Sequence, residues 1–454
     1  MRFPHVHPRT AALRTAACAL AAIALVLPFP CHAQAAASHD MRGDSIFAAQ
    51  ALANGLRIAK RYHVAAITTR RFDHDAFWRA VEPSLASPDF QKRQVGASIL
   101  GRSINAVTFG TGKTTVLLWS QMHGDESTAT MALADIFRFL AQATHDPLRQ
   151  RLHDDLTIVF VPMLNPDGAE LFQRENAAGI DINRDARRLA TPEARALKAL
   201  RDSIRPAFGF NLHDQNARTI AGAGGMQAAI ALEAPAFSDA GNYNDVRRRA
   251  RLVAATIAQI LGGSIPGRIA KYDESFNRRA FGDNMQKWGT STVLVESGGL
   301  PNDPQKQRLR ALNVAAILGA LDAIGTGRYA DADPQAYQRL PSNHGGASDL
   351  LILGGQLVLP GQPPLRADMA INYHDAIART GAYVRDVGDL QEAVAVDTVN
   401  AAGLFLIPAA SSLYAGNGGS WLRIGEPASF ALRRGKDSTS ALVMTIGGAA
   451  GRGP

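Results

Sequence analysis

His123 and Glu126 stand three residues apart where the apolar run 116–119 gives way to a helical pattern that starts at Ser127 and continues to about residue 142. A strand-to-helix junction lets two such side chains point at one spot. Imidazole nitrogen and carboxylate oxygen are both zinc donors, and a catalytic site takes three protein ligands and keeps a fourth position open. The spacing H-x-x-E alone also describes a solvated pair or an acid at a helix start, so the metal reading needs a third ligand and a base. Two further residues qualify. His213 closes the apolar run 207–212, and Glu296 closes the run 292–295 with Ser297-Gly-Gly299 behind it. A carboxylate at the end of a buried run is costly unless it finds a partner.

These residues must be positioned by the elements before them. Residues 47–62 and 73–85 carry apolar side chains at helical spacing, and 90–95 and 99–107 lead into a first strand pair. Gly110-Thr-Gly-Lys-Thr114 has part of a phosphate loop, but the leading glycine is missing and a strand follows, so it reads as a tight turn. Asn165-Pro-Asp-Gly168 reads as a turn after the run 156–163. Residues 174–184 hold two arginines, two asparagines and two acids around Gly179. Thr191-Pro192 starts a helix to about residue 204, residues 245–261 form another, and 303–324 a closing one. Strands and helices thus alternate from about 105 to 325, the pattern of an α/β sheet with helices on both faces. In open sheets of this kind ligands gather at the carboxyl ends of strands, where His123, His213 and Glu296 fall.

Beyond residue 331 the composition changes. Residues 331–347, with Asp333-Pro334 and Pro341-Ser-Asn-His-Gly-Gly346, read as a linker, and the short runs in 348–454 indicate a small all-β domain. The domain division expected is a leader at 1–33, a catalytic domain at 41–330 and an accessory β domain at 348–454.

At 454 residues the chain has room for two or three domains. Its formal charge is +8, and residues 34–454 keep 45 basic against 40 acidic residues. No dense basic stripe with aromatics appears, so nucleic acid is not expected as a partner. Arg2, Arg9 and Arg14 precede an apolar run of 12 residues at 16–27, broken by Pro28 and Pro30. Residues 1–33 therefore read as a signal peptide, the run being too short to span a bilayer, and a periplasmic or secreted protein without a membrane span is expected. Both cysteines, Cys18 and Cys31, lie in that leader. Any metal must then be held by histidine and carboxylate. No pro-segment is evident, so no proteolytic activation is expected.

In order along residues 95–325, His123-x-x-Glu126, Asn165-Pro-Asp-Gly168, Arg174-x-Asn176, Gly179-x-Asp181-x-Asn183-Arg184, His213 and Glu296 resemble the zinc carboxypeptidases, the carboxypeptidase A-like metallopeptidases. The resemblance implies a mixed, eight-stranded α/β sheet flanked by helices and one zinc ion per chain. It implies His123, Glu126 and His213 as metal ligands, and Glu296 as the base that takes a proton from metal-activated water. Arg174 would polarise the scissile carbonyl, Asn183 and Arg184 would hold the free C-terminal carboxylate of a peptide substrate, and Asp181 would orient His123. Tyr272 is the candidate for the mobile tyrosine of the family, and the specificity pocket falls near residues 281–283. His145, His153, His344 and His374 are read as surface or capping residues. Residues 348–450 resemble, more weakly, the small β-sandwich of amidohydrolases without their metal-bearing barrel.

The core also resembles zinc deacylases of the aspartoacylase type; Asn165 to Gly168 together with Asn183 and Arg184 favour the peptidase. An inactive scaffold binding peptides or glycans is a third reading, which a complete set of ligands and base opposes.

Overall fold

The computed structural model describes residues 41–416 and 419–447, with side chains from residue 45 onward. The expected leader, with Cys18 and Cys31, lies outside the described residues. Helices α1 (Met41–Arg61) and α2 (His74–Leu85) come first; Asp73 caps α2 by accepting from the Ala76 N–H at 2.7 Å. Then follow β1 (Phe90–Ala97), β2 (Ser103–Phe109), β3 (Thr114–Ser120), α3 (Thr128–Gln142), α4 (Pro147–Asp155), β4 (Leu156–Val161), α5 (Pro166–Leu171), α6 (Pro192–Ile204), β5 (Phe208–Asp214), β6 (Ile220–Ala221) and β7 (Ile230–Glu233). After α7 (Asp245–Gly262), β8 (Ile269–Lys271), α8 (Phe281–Lys287) and β9 (Ser291–Ser297), the long α9 (Gln307–Gly325) and short α10 (Pro334–Gln338) close this half of the chain.

Eight strands form one mixed sheet in the order β1-β2-β4-β3-β5-β9-β7-β8. The centre, β4-β3-β5-β9, is parallel; β1 and β2 run against their neighbours, and β7 runs against β9 but parallel to β8. Central parallel strands are covered on both faces, which is why they appear in the sequence as continuous apolar runs. Alternate side chains go to opposite faces. Val116 and Leu118 pack under α3, α7 and α9 in the larger core, and Leu117 and Trp119 pack with α6 and α8 on the other side. The expected mixed α/β sheet flanked by helices is the architecture found.

Local readings change in four places. Residues 110–114 do not join neighbouring strands, because β4 lies between β2 and β3. The loop lies on the start of β4 instead, and a Cβ on Gly112 would come within 1.9 Å of the Asp155 carbonyl carbon. Asn165 to Gly168 is the start of α5 rather than a free turn: Asn165 accepts from the Gly168 N–H at 2.9 Å, and Pro166 occupies the first helical position. The closing helix begins at Gln307, since Lys306 takes a left-handed conformation (φ +53°) and Asp303 accepts from the Arg308 and Leu309 N–H groups. Residues 331–347 are structured too. They contain α10 and β10 (Asn343–His344), and β10 pairs antiparallel with β6.

The C-terminal region is all β: β11 (Ser348–Leu357), β12 (Leu365–Asp375), β13 (Thr380–Gly388), β14 (Ala395–Asn400), β15 (Phe405–Pro408), the hairpin β16 (Leu413–Gly416) and β17 (Gly419–Leu422), β18 (Phe430–Arg433) and β19 (Leu442–Ile446). Its main sheet has its own apolar core around Ile352, Ile371, Val384 and Leu432. Arg218 bridges to Asp349 at 2.9 Å, and Arg70 pairs with Asp375, so both halves share ion pairs. Among the described residues no helix is long and apolar enough to cross a membrane.

An ion pair between α9 and α3 is buried within the larger half of the chain. Arg310 donates to both oxygens of Asp135, at 2.7 and 2.5 Å, and to the Ile67 carbonyl at 2.6 Å; both side chains are 1% exposed. Removing one partner leaves a buried charge uncompensated. Asp135→Ala is expected to cost about 3–5 kcal/mol, read as a lowered urea midpoint.

Candidate metal centre and substrate cavity

His123 follows β3 in a loop shaped by close backbone contact. Gln121 has φ +48° and donates from Nε2 to the Gly124 carbonyl at 2.9 Å. A Cβ on Gly124 would lie 2.0 Å from the Gly168 carbonyl carbon, so the loop fits against α5 only as glycine. Asn165 donates to the Arg174 carbonyl at 3.2 Å, and the Gly124 N–H reaches the same oxygen at 3.4 Å. The motif 165–168 thus carries no reacting group. It fixes the loop of His123 and the start of the Arg174 segment.

β5 brings His213 beside that loop. The Nδ1 atoms of His123 and His213 lie 2.7 and 2.6 Å from the two oxygens of Glu126 and 3.2 Å from each other. All three residues are buried, and their donor atoms lie within 4.8 Å of one another. Asp181 Oδ1 stands 3.0 Å from His123 Nε2. A carboxylate there accepts a hydrogen bond from the Nε2–H and leaves the Nδ1 lone pair for the common point. Two nitrogens each about 2.0–2.1 Å from one ion at a tetrahedral angle would be roughly 3.3 Å apart. The donor set therefore fits a zinc-sized cation.

The electrostatics agree. Burial opposes charge on Glu126, yet the two imidazoles hold its carboxyl well below the usual range. Burial alone would push His123 down, but the Glu126 charge and its hydrogen bonds with Asp181 and Glu126 bring it up to about 9. Burial keeps His213 below its ordinary value. The proton retained on His123 offsets the Glu126 charge, while His213 stays neutral.

Arg174 is gripped from one side. Its Nε and Nη2 donate to Asp181 Oδ2 at 3.1 and 2.9 Å, and Nη1 leans on the cluster, 3.3 Å from Glu126 Oε1. Glu296 is the register partner of His213 on β9. It is buried, and its Oε2 has no hydrogen-bond partner. Burial and the Glu126 charge push its carboxyl well above the ordinary range. Tyr272 follows β8, and the Glu296 charge, with burial, pushes its phenol up.

A cavity of about 840 Å³ opens in front of these groups. His123, Glu126, Arg174, Glu296, Asn183, Arg184 and Tyr272 all line it, while His213 and Asp181 are not part of its wall. Asn183 accepts from the Phe281 N–H at 2.8 Å, which ties the turn 182–184 to α8. Gly282 and Asp283 of the expected specificity region are also on the wall. His145, His344 and His374 are exposed, and His153 is half-buried beside Asp154.

Three features were not legible in the sequence. Ser342, Asn343 and Gly345 form part of the wall, with Asn343 donating to Gln215 at 2.6 Å. Their proline- and glycine-rich context resembled a linker. Glu233 ends β7, a strand too short and alanine-rich to stand out. Lys306, just before α9, pairs with the buried Asp214 at the end of β5 at 2.9 Å, a contact between residues distant in sequence.

The family model described as zinc carboxypeptidase matches residues 82–266, so the resemblance read from the motifs holds across that segment. Among characterised sequences, the probable carboxypeptidase 2 of Arthroderma benhamiae is 29% identical over 163 residues, which is 36% of this chain and 30% of that protein. Carboxypeptidase 2 of Trichophyton tonsurans is 28% identical over 162 residues, 36% of this chain and 29% of that protein. The chain thus matches less than a third of the length of these relatives. Among solved structures, a metallo-carboxypeptidase from Burkholderia cenocepacia aligns with a TM-score of 0.45 and 18% identity, over 57% of this chain and 70% of that one. Glu296 lies beyond the segment matched by the family model and stands on its register beside His213.

Asp283 accepts from the Asn277 N–H at 2.8 Å, and burial pushes its carboxyl up to about 6 from 3.8. The folded state therefore holds this proton more tightly than the unfolded chain. Its stabilising effect is complete below 3.8 and is lost as pH rises through about 6. Asp283→Asn keeps the acceptor and removes the titration, so urea unfolding across this window should show a flatter pH dependence than in the wild type.

Proposed function

We propose that the chain is a zinc-dependent metallocarboxypeptidase that hydrolyses the C-terminal peptide bond of peptides with a free C-terminal carboxylate. One observation carries this reading: three buried donors converge beside a buried carboxyl, Glu296, whose Oε2 has no partner among the described residues, and the same cavity is lined by Asn183 and Arg184.

His123, Glu126 and His213 would hold the zinc ion. When bound, it supplies Lewis acidity, polarising a carbonyl oxygen and acidifying water. Glu296 accepts the proton of the attacking water and returns it to the leaving amine; a carboxyl raised by burial suits both halves of that transfer. Arg174, held by Asp181 at two of its nitrogens, presents its remaining donor where negative charge develops on the scissile carbonyl. Asn183 and Arg184 receive the terminal carboxylate, a neutral donor beside a guanidinium fork. Tyr272, kept protonated, is a donor on the cavity wall. Asp181 fixes the His123 tautomer. The composition of residues 1–33 supports export, to the periplasm or outside the cell, and the C-terminal β region would be accessory to the reaction.

Metal analysis of the purified chain should find about one zinc per chain. Glu296→Gln should keep that zinc and lower kcat by about 10²–10⁴-fold, measured on an N-acyl dipeptide and abolished by chelator. A C-terminally amidated peptide should be a poor substrate; efficient cleavage of it, or removal of an acyl group instead, would favour the deacylase reading.

A further inference from the structure

One row of the sheet below the proposed chemistry carries a second set of polar groups. Asn211 on β5 is the register partner of Leu294 on β9, and Leu294 is the partner of Glu233 on β7. This row lies two residues deeper than His213 and Glu296, on the same face. All three residues line the cavity. Glu233 is 5% exposed, and among the described residues no hydrogen-bond donor or cation contacts its carboxylate. Asn211 Oδ1 is buried with no donor. From α8 comes Asp283, 6% exposed, with one carboxylate oxygen engaged by the Asn277 N–H. Gly282 beside it adds no side chain, so the space between α8 and the floor stays open; a Cβ there would lie 3.2 Å from the Asn211 amide nitrogen.

Most neighbouring cations are engaged elsewhere, and Lys271, which also lines the cavity, forms no ion pair with either acid among the described residues. Arg247 and Arg251 pair with Glu274, and Lys306 pairs with Asp214. Arg184 eases the charge on Asp283 through space but forms no ion pair with either acid. Burial and mutual repulsion push the Glu233 carboxyl well above its ordinary range, and burial does the same to Asp283. Two buried carboxyls facing one space, with no cation of the protein in ion-pair contact among the described residues, are costly unless a ligand provides the charge.

We infer that this floor is a specificity pocket for a cationic side chain, and that the C-terminal residue released is arginine or lysine, held between Glu233 and Asp283. The inference rests on the carboxypeptidase reading. Leu294 and Pro235 provide apolar wall for the aliphatic stem, while the charged head reaches the acids. Glu233 and Asp283 act here on substrate choice and take no part in bond cleavage.

The test uses the zinc-loaded full chain and N-acyl dipeptides ending in arginine, lysine, citrulline, leucine or glutamate. The kcat/KM for arginine and lysine should exceed that for citrulline, the uncharged near-isostere of arginine, on the order of 100-fold. Glu233→Gln should reduce the arginine-to-citrulline ratio by at least roughly tenfold, with zinc content unchanged and the melting temperature not lowered, since an unpaired buried acid is removed. Activity with leucine or glutamate preferred over arginine would overturn the pocket assignment and leave the carboxypeptidase reading standing. Release of no C-terminal residue from any of the five would overturn that reading instead. Calorimetric titration with free L-arginine and L-citrulline then decides the pocket separately: tighter arginine binding that Glu233→Gln abolishes supports it, and equal binding overturns it.

Discussion

Glu126 is a carboxylate withdrawn from water, and much of the surrounding structure answers the cost of that burial. Two imidazoles face its oxygens at 2.7 and 2.6 Å, and Arg174 adds a third contact. The Asp214 N–H donates to Oε2 at 3.1 Å. Each neighbour has its own support: Asp181 behind His123 and Arg174, Lys306 and Thr128 around Asp214. Charges alternate outward from Glu126, so no layer is left uncompensated except at the point where the donors meet. That point is where a cation is favoured.

The sheet makes this arrangement possible because β3, β5 and β9 run parallel and end at one edge. Parallel register puts His213 and Glu296 side by side and the His123 loop immediately past them. Residues separated by 173 positions in the chain thereby become neighbours. The glycine-to-glycine contact between 124 and 168 then decides how closely the loop can approach α5. The polar motif Asn165 to Gly168 is in this sense a backbone clamp, acting on the donor cluster only through position.

Much of this was readable from the residues because central strands are apolar on both faces and polar residues at their ends stand out. His123, His213 and Glu296 were recognisable for that reason, although His213 and Glu296 turn out to lie inside the last turn of pleat and not beyond it. The contacts of Asp181 with His123 and Arg174 link positions whose spacing in sequence says nothing about direction. Short elements at the sheet's far side escaped. β7, β8 and α8 have three to seven residues each, too few for a period to show. With β7 went Glu233, whose significance depends wholly on which face of the strand it occupies. Residues 342–345 escaped for a different reason: proline and glycine mark irregular backbone, and irregular backbone paired to a cavity wall looks the same in sequence as a spacer.

The charge balance of the cavity has a consequence for the molecule as a whole. Glu126, Glu233, Asp283 and Glu296 are buried together, while Arg174 and Arg184 are the arginines on the same wall. An excess of buried acid weakens a fold unless protons or bound cations offset it. A ligand that binds only the folded state adds RT ln(1 + [L]/Kd) to its stability. A metal ion at the three donors and a cationic side chain on the floor would each act on different members of this acidic set. On the proposed reading, folding, metal loading and substrate recognition would be linked through one electrostatic deficit, and the acids that would make the cavity selective would also make the unliganded chain less stable than its packing alone would allow.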